Sequence, residues 1–115
     1  MLDHHQIYER LKITPSQLDL FCYHHAIHEF SVFGSVLRDD FRPDSDVDVL
    51  VVFESETQKT MSLLDFVGIR FELEDLLHRR VDLLEKESVL NSSNWIRRDH
   101  ILSTMQVINV PGQVM

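Results

Sequence analysis

The stretch Phe33-Gly34-Ser35-Val36-Leu37-Arg38-Asp39-Asp40-Phe41-Arg42-Pro43-Asp44-Ser45-Asp46-Val47-Asp48-Val49-Leu50-Val51-Val52 decides how this chain is read. A glycine–serine pair closes one apolar segment, and eleven residues after the serine an Asp-x-Asp pair opens another. Residues two apart on a strand share a face, so Asp46 and Asp48 present their carboxylates together, about 7 Å apart at the backbone. Carboxylates that close repel unless a cation sits between them. Hard oxygen donors of this kind suit magnesium, which usually shares its shell with substrate phosphates. Gly34-Ser35, ending a strand and opening a helical turn, leaves backbone N–H groups free to meet phosphate. The two halves together are what metal-dependent transfer from a nucleoside triphosphate requires.

Each half alone is weak, since glycine–serine marks many ordinary turns and paired acids at a strand edge are commonly just solvated. An EF-hand is excluded: Asp44, Asp46 and Asp48 alternate correctly, but Val49 replaces the required glycine and Ser55 stands where the bidentate glutamate belongs. There is no lysine-containing P-loop and no repeated-glycine dinucleotide fingerprint.

Outward from this stretch, Thr14-Pro15 reads as an N-cap and first-turn proline opening a helix over residues 15–29, with Leu18, Phe21, Cys22 and Ala26 at helical spacing. Ser31–Phe33 is a short strand and Ser35–Asp39 a brief helical turn. Asp46–Phe53 is a β-branched strand fit for the middle of a sheet. Glu54–Thr60 reads as a loop. Ser62 with Asp65 forms a capping box for a helix to His78, with Phe66, Ile69, Leu73, Leu76 and Leu77 buried and Glu72, Glu74 and Asp75 wet. Arg79-Arg80 close that helix, where its dipole favours cations. Val81–Leu84 is a third strand and Trp95 to Met105 a last helix. Residues 106–115 are expected as a flexible tail. The fold class is α/β (α+β), a small mixed β-sheet flanked by helices in one domain over residues 1–115.

Composition bounds the function. The 115 residues suit one core, and 43% hydrophobic with 26% charged residues is ordinary for a globular protein. A net charge of −8 argues against direct nucleic-acid binding. The single Cys22 leaves no partner for an internal disulfide and suits a reducing cytoplasm. No apolar run approaches membrane-spanning length, and the N-terminal Asp3-His4-His5 lacks a signal-peptide pattern, so a soluble cytoplasmic protein without membrane contact is expected.

The run Gly34-Ser35-x-x-Arg38 … Pro43-Asp44-Ser45-Asp46-Val47-Asp48-Val49-Leu50-Val51 resembles the signature of the nucleotidyltransferase superfamily that includes DNA polymerase beta. More narrowly it resembles the short MNT group, the minimal nucleotidyltransferases. The resemblance implies the polymerase beta-like palm fold and a third carboxylate on a neighbouring strand, at Asp82. It implies that Gly34 and Ser35 hold the triphosphate, and that Asp46, Asp48 and Asp82 bind two magnesium ions and carry catalysis. Arg38 would neutralise phosphate charge or pair with Asp40; Ser45 would support the metal site or cap the turn before the strand. The chain departs from the group at Leu37 and Asp39, which flank Arg38 where a small residue and a glycine are usual.

For the MNT group, the resemblance implies an antitoxin that transfers AMP from ATP to a tyrosine hydroxyl of a HEPN-family (HepT-like) ribonuclease toxin, in a hetero-oligomer. A non-catalytic antitoxin acting by docking alone, or a small-molecule adenylyltransferase completed by a separate helical subunit, are the alternatives. Remaining candidates read as ordinary. His25 and His28 share a face of the expected first helix but lack a ligand-spaced carboxylate or cysteine, and Trp95 reads as a core or partner-facing anchor.

Overall fold

The computed structural model describes residues 2–111. Helix α1 (His4–Leu11) and helix α2 (Pro15–His24) precede strand β1 (Ile27–Phe33). A turn of 3-10 helix at Gly34–Leu37 leads through a loop to β2 (Val47–Phe53). Then follow α3 (Ser55–Thr60), α4 (Leu63–Leu77), β3 (Val81–Glu85), α5 (Lys86–Leu90), α6 (Trp95–Thr104) and β4 (Gln106–Asn109). The strands form a mixed sheet in the order β3-β2-β1-β4, with β1 antiparallel to β2 and β4, and β2 parallel to β3. The expected α/β class and small mixed sheet are what the chain adopts.

Capping chemistry starts three of the helices. Asp3 with Gln6, Thr14 with Gln17 and Ser62 with Asp65 each form a reciprocal capping box. Helix α4 therefore begins as its sequence indicates, and Ile69, Leu73 and Leu77 face the core. Its C-cap His78 adopts a left-handed conformation, φ 54°. Glu74, expected on the wet side, instead accepts a hydrogen bond from the Val81 N–H at 2.8 Å and so fixes the start of β3.

Helix α2, expected over residues 15–29, ends at His24. Ala26 takes φ 54°, which breaks the helix, and its carbonyl accepts from Glu54 N–H at the end of β2. The strand then begins at Ile27. A bulge between Ile27 and Glu29 interrupts the period-two alternation, and this hides the strand from periodicity. His28 consequently lies on β1 and not on a helix face with His25. The polar segment at 54–60 includes a short helix with no buried residue, α3. Residues Gln106–Asn109, expected within a flexible tail, pair with β1 as β4, whereas the rest of that tail from residue 112 lies outside the described residues.

The main core lies on one sheet face, where Val32, Val47, Val49, Val51, Val81 and Leu83 meet α1, α2 and α4. Phe33 and Leu50 form a second cluster with Val89 of α5 and Ile101 of α6. Helix α1 reaches across the fold: the Tyr8 hydroxyl donates to the Ile108 carbonyl at 3.0 Å, and burial pushes the phenol up to about 12, keeping it a donor. Replacing Tyr8 by Phe leaves that carbonyl short of a partner. Urea unfolding of Tyr8→Phe is expected to show a loss of about 1 kcal/mol with an unchanged m-value.

Candidate active site

The β1–β2 register sets Phe33 directly opposite Asp48, so the chain turns at Gly34 immediately beside that carboxylate. Gly34 has φ +75°, and a β-carbon there would lie 2.1 Å from Asp48 Oδ2. Both the left-handed backbone and the missing side chain are therefore required of residue 34. Ser35 follows in the 3-10 turn, where its hydroxyl donates to the Asp46 carbonyl at 3.3 Å and ties the turn to the lead-in of β2.

The parallel β2–β3 register sets Asp82 beside Asp48 on the adjacent strand. Asp46 lies one residue ahead of β2, exposed, while Asp48 is half-buried and Asp82 exposed. Asp46, Asp48 and Asp82 thus gather at one end of two neighbouring strands, next to Gly34 and Ser35. Burial pushes the Asp48 carboxyl above its ordinary range, and the negative charges of Asp82 and Asp46 push it the same way, opposed by Arg38 and Arg97.

Among the described residues, no three His, Cys, Asp or Glu side chains are gathered so that they could hold a metal ion as they stand. The donor chemistry nonetheless fits a hard cation. Three carboxylates lie at one end of the β2–β3 pair, and burial together with the charges of Asp82 and Asp46 raises the Asp48 carboxyl. Oxygens of a nucleotide phosphate would supply the remaining ligands.

Arg38 pairs with Asp40, its Nε donating at 3.1 Å, and that hydrogen bond holds the Asp40 carboxyl below its usual range. Ser45 Oγ accepts from the Arg42 N–H at 2.9 Å and so caps the turn before β2. Leu37 is half-buried, packing partly against the main core while also lining the cavity beside Gly34 and Arg38, and Asp39 is exposed.

The supports of this loop were not apparent from the motif. Arg79 Nη1 donates to the carbonyls of Arg42, Pro43 and Ser45 at 2.9, 3.0 and 3.1 Å. Arg10 of α1 donates to the carbonyls of Val36 and Arg38. Both guanidiniums lie over the Phe41 ring, at 4.4 Å for Arg79 and 5.9 Å for Arg10. The Asp3-x-x-Gln6 capping box was the available signal for α1 and hence for Arg10.

A cleft of about 520 Å³ opens at the opposite end of β1, between His24, His25, Gly68 and Glu72. His25 Nε2 meets Glu72 there, and its ring lies tilted against Phe21, with the ring centres 4.7 Å apart. Trp95 is exposed at the start of α6, which removes it from the core.

The raised Asp48 carboxyl has a thermodynamic consequence. Its proton is held more tightly in the folded than in the unfolded chain, so the folded state binds more protons across the window from the ordinary aspartate value upward. Stability from this group is full below that window and falls as pH rises through it. In metal-free buffer, Asp48→Asn is expected to be more stable than the parent at pH 7 and to lack this decline. Thermal melts of both proteins from pH 3 to 8 measure it.

The chain matches the nucleotidyltransferase domain model over residues 16–107. It is 37% identical over 79 residues to a Methanocaldococcus jannaschii protein provisionally named a protein adenylyltransferase, covering 69% of this chain and 76% of that one. It is 46% identical over 64 residues to the protein adenylyltransferase MntA of Thermococcus cleftensis, covering 56% of this chain and 61% of that one. Among solved structures, a toxin–antitoxin crystallised with AMP-PNP superposes with a TM-score of 0.56 at 17% identity, over 97% of this chain and 77% of that one, a likeness of fold. The Gly34-Ser35 turn, the carboxylates beside it and this match over most of the chain lead to one conclusion: the protein belongs to the nucleotidyltransferase domain family.

Proposed function

We propose that this protein is an antitoxin of the MNT group. It transfers AMP from ATP to a tyrosine hydroxyl of a cognate HEPN-family (HepT-like) ribonuclease toxin, with which it forms a hetero-oligomer in the cytoplasm. The observation that carries this reading is the meeting of Asp46, Asp48 and Asp82 beside the Gly34-Ser35 loop. The names of the archaeal relatives support a protein acceptor, and the fold shared with a toxin–antitoxin supports the kind of partner. The buried, unpaired Cys22, its thiol pushed up to about 12 by burial, suits a reducing compartment.

Asp46, Asp48 and Asp82 would hold magnesium, two ions in this reading. Bound there, magnesium neutralises phosphate charge and lowers the pKa of the acceptor hydroxyl. Gly34 lets the backbone approach the triphosphate, and the N–H groups of the following turn point at it. Ser35 stands at the same turn with a hydroxyl for the β- or γ-phosphate. Arg38, exposed beside the loop, adds positive charge next to phosphate oxygens. In the reaction, the tyrosine hydroxyl releases its proton to solvent, its oxygen forms a bond to the α-phosphorus, and the bond to pyrophosphate breaks. The transferred AMP then masks the toxin.

Asp46→Asn or Asp48→Asn is expected to lower magnesium-dependent label transfer from α-labelled ATP to the partner by more than about a hundredfold, with the fold intact. Transfer that survives the double substitution would sink the mechanism. Asp82→Asn is expected to reduce turnover more than ATP binding. Intact mass of the co-expressed partner should show added AMP units, lost in the Asp46/Asp48 variants.

A further inference from the structure

The cleft of about 520 Å³ and the carboxylates lie at opposite ends of β1. Ala26, just before the strand, lines the cleft, and Gly34, just after it, turns beside Asp48. Seven residues of strand separate the two, roughly 20 Å. The walls are the end of α2 at His24 and His25, α3 at Thr57 and Thr60, and α4 between Leu64 and Glu72. None of these residues has a part in the chemistry of the carboxylate end.

Gly68 stands inside α4 on the wall of this cleft. Its backbone is not left-handed, and a β-carbon there would meet nothing within 4 Å. Glycine weakens a helix interior, because it surrenders more backbone freedom on folding than any other residue. Packing within the chain therefore does not call for it. What the missing side chain does is deepen the cleft and bare the helix backbone to whatever enters, the close approach for which glycine is suited.

Charge and apolarity select the occupant. Asp65 and Glu72 line the cleft, and no lysine or arginine does. Asp65 caps α4 and Glu72 meets His25, while the nearby cations are held elsewhere: Lys59 pairs with Glu56, and Arg70 lies over the Phe71 ring. Helix α2 ends here, and its last carbonyls add negative potential. Around the mouth, Leu64 of α4 and Leu20 and Tyr23 of α2 are exposed. Leu20 is one turn before His24 and so on the same side of its helix. This apolar border reaches past the cleft, farther than a small molecule covers. A second copy of the chain, itself at net charge −8, would bring acids against acids.

We propose that this cleft docks a basic, amphipathic segment of the partner protein. Its lysine or arginine heads meet Asp65 and Glu72, and its apolar side chains cover Leu64 and the bare backbone at Gly68. A ribonuclease presents cationic surface to RNA phosphates, the charge that this cleft complements. The identity of the partner rests on the function proposed above. Docking at this end leaves the carboxylates and the Gly34-Ser35 turn uncovered, so partner binding and nucleotide binding are separable.

The test compares the parent protein with Gly68→Leu, Glu72→Lys and, on a different exposed surface, Trp95→Ala. Calorimetry measures binding of the HEPN-family partner at low and high salt, and separately of AMP-PNP with magnesium; label transfer is followed in the complex. Gly68→Leu fills the cleft and is expected to bind the partner about tenfold more weakly, with a melting temperature no lower than the parent's. Glu72→Lys should weaken binding as much and lose most of its salt dependence. Both should bind AMP-PNP as the parent does. Should Glu72→Lys melt lower through loss of the His25 contact, Gly68→Leu decides alone. Parent-like partner binding by Gly68→Leu would overturn the proposal and, with transfer intact, leave the proposed function standing. Loss of binding in Trp95→Ala alone would place the docking surface on α6 and overturn it as well, as would self-association of the parent that Gly68→Leu abolishes. A parent that docks through the cleft but transfers no AMP would uphold the docking and overturn adenylyl transfer. No partner binding by the parent would overturn both.

Discussion

The site depends on a β-carbon that is absent. Asp48 Oδ2 lies 2.1 Å from where residue 34 would carry one, and the backbone there has φ +75°. Any other residue would push against the carboxylate of Asp48, near the start of a paired strand, in a conformation its own side chain disfavours. The antiparallel register that sets Phe33 against Asp48 therefore determines both where the loop turns and which acid it turns beside. Ser35, one residue later, then ties to the carbonyl of Asp46 rather than to a more distant part of the loop.

Strand alternation divides the work between the two faces of the sheet. Val47, Val49 and Val51 are buried against α1, α2 and α4, which leaves Asp48 and, on the next strand, Asp82 to the other face. Burial, joined by the charges of the neighbouring acids, raises the Asp48 carboxyl and so costs stability at neutral pH. The valine face, with no member more than 1% exposed, offsets that cost through apolar burial. The loop between the motifs is held by side chains from outside it. Arg10 and Arg79 take up its carbonyls and enclose Phe41, so 3-10 turn and strand entry keep their spacing without a regular element between them.

The elements that could be read from the sequence are those whose signal is local. The Gly-Ser and Asp-x-Asp pairs, the capping box at Ser62 and the continuous apolar run of β2 each declare themselves within a few residues. Asp82 did not: alone it is an ordinary acid on a short strand, and only the family resemblance pointed to it. What stayed hidden was set by partners far along the chain. The start of β1 was masked by a bulge that pairing with β2 creates, and β4 is too short and mixed to read until β1 offers its other edge. Glu74 looked wet because its partner is a backbone N–H at the start of β3 and not a neighbour on its own helix.

Charge accounts for why so many arginines in this acidic chain are committed elsewhere. Those at 10, 38, 79 and 98 are each tied to a carbonyl or a carboxylate, which orders loops around the three acids. Left alone, such a site excludes phosphate as firmly as it repels any other anion. In the proposed function it would take a nucleotide together with cationic charge, as a magnesium nucleotide brings. Binding of nucleotide and of cation would then be coupled by electrostatics, each raising the affinity for the other by the same factor. That coupling would follow from placing Asp48 and Asp82 side by side in a parallel strand pair.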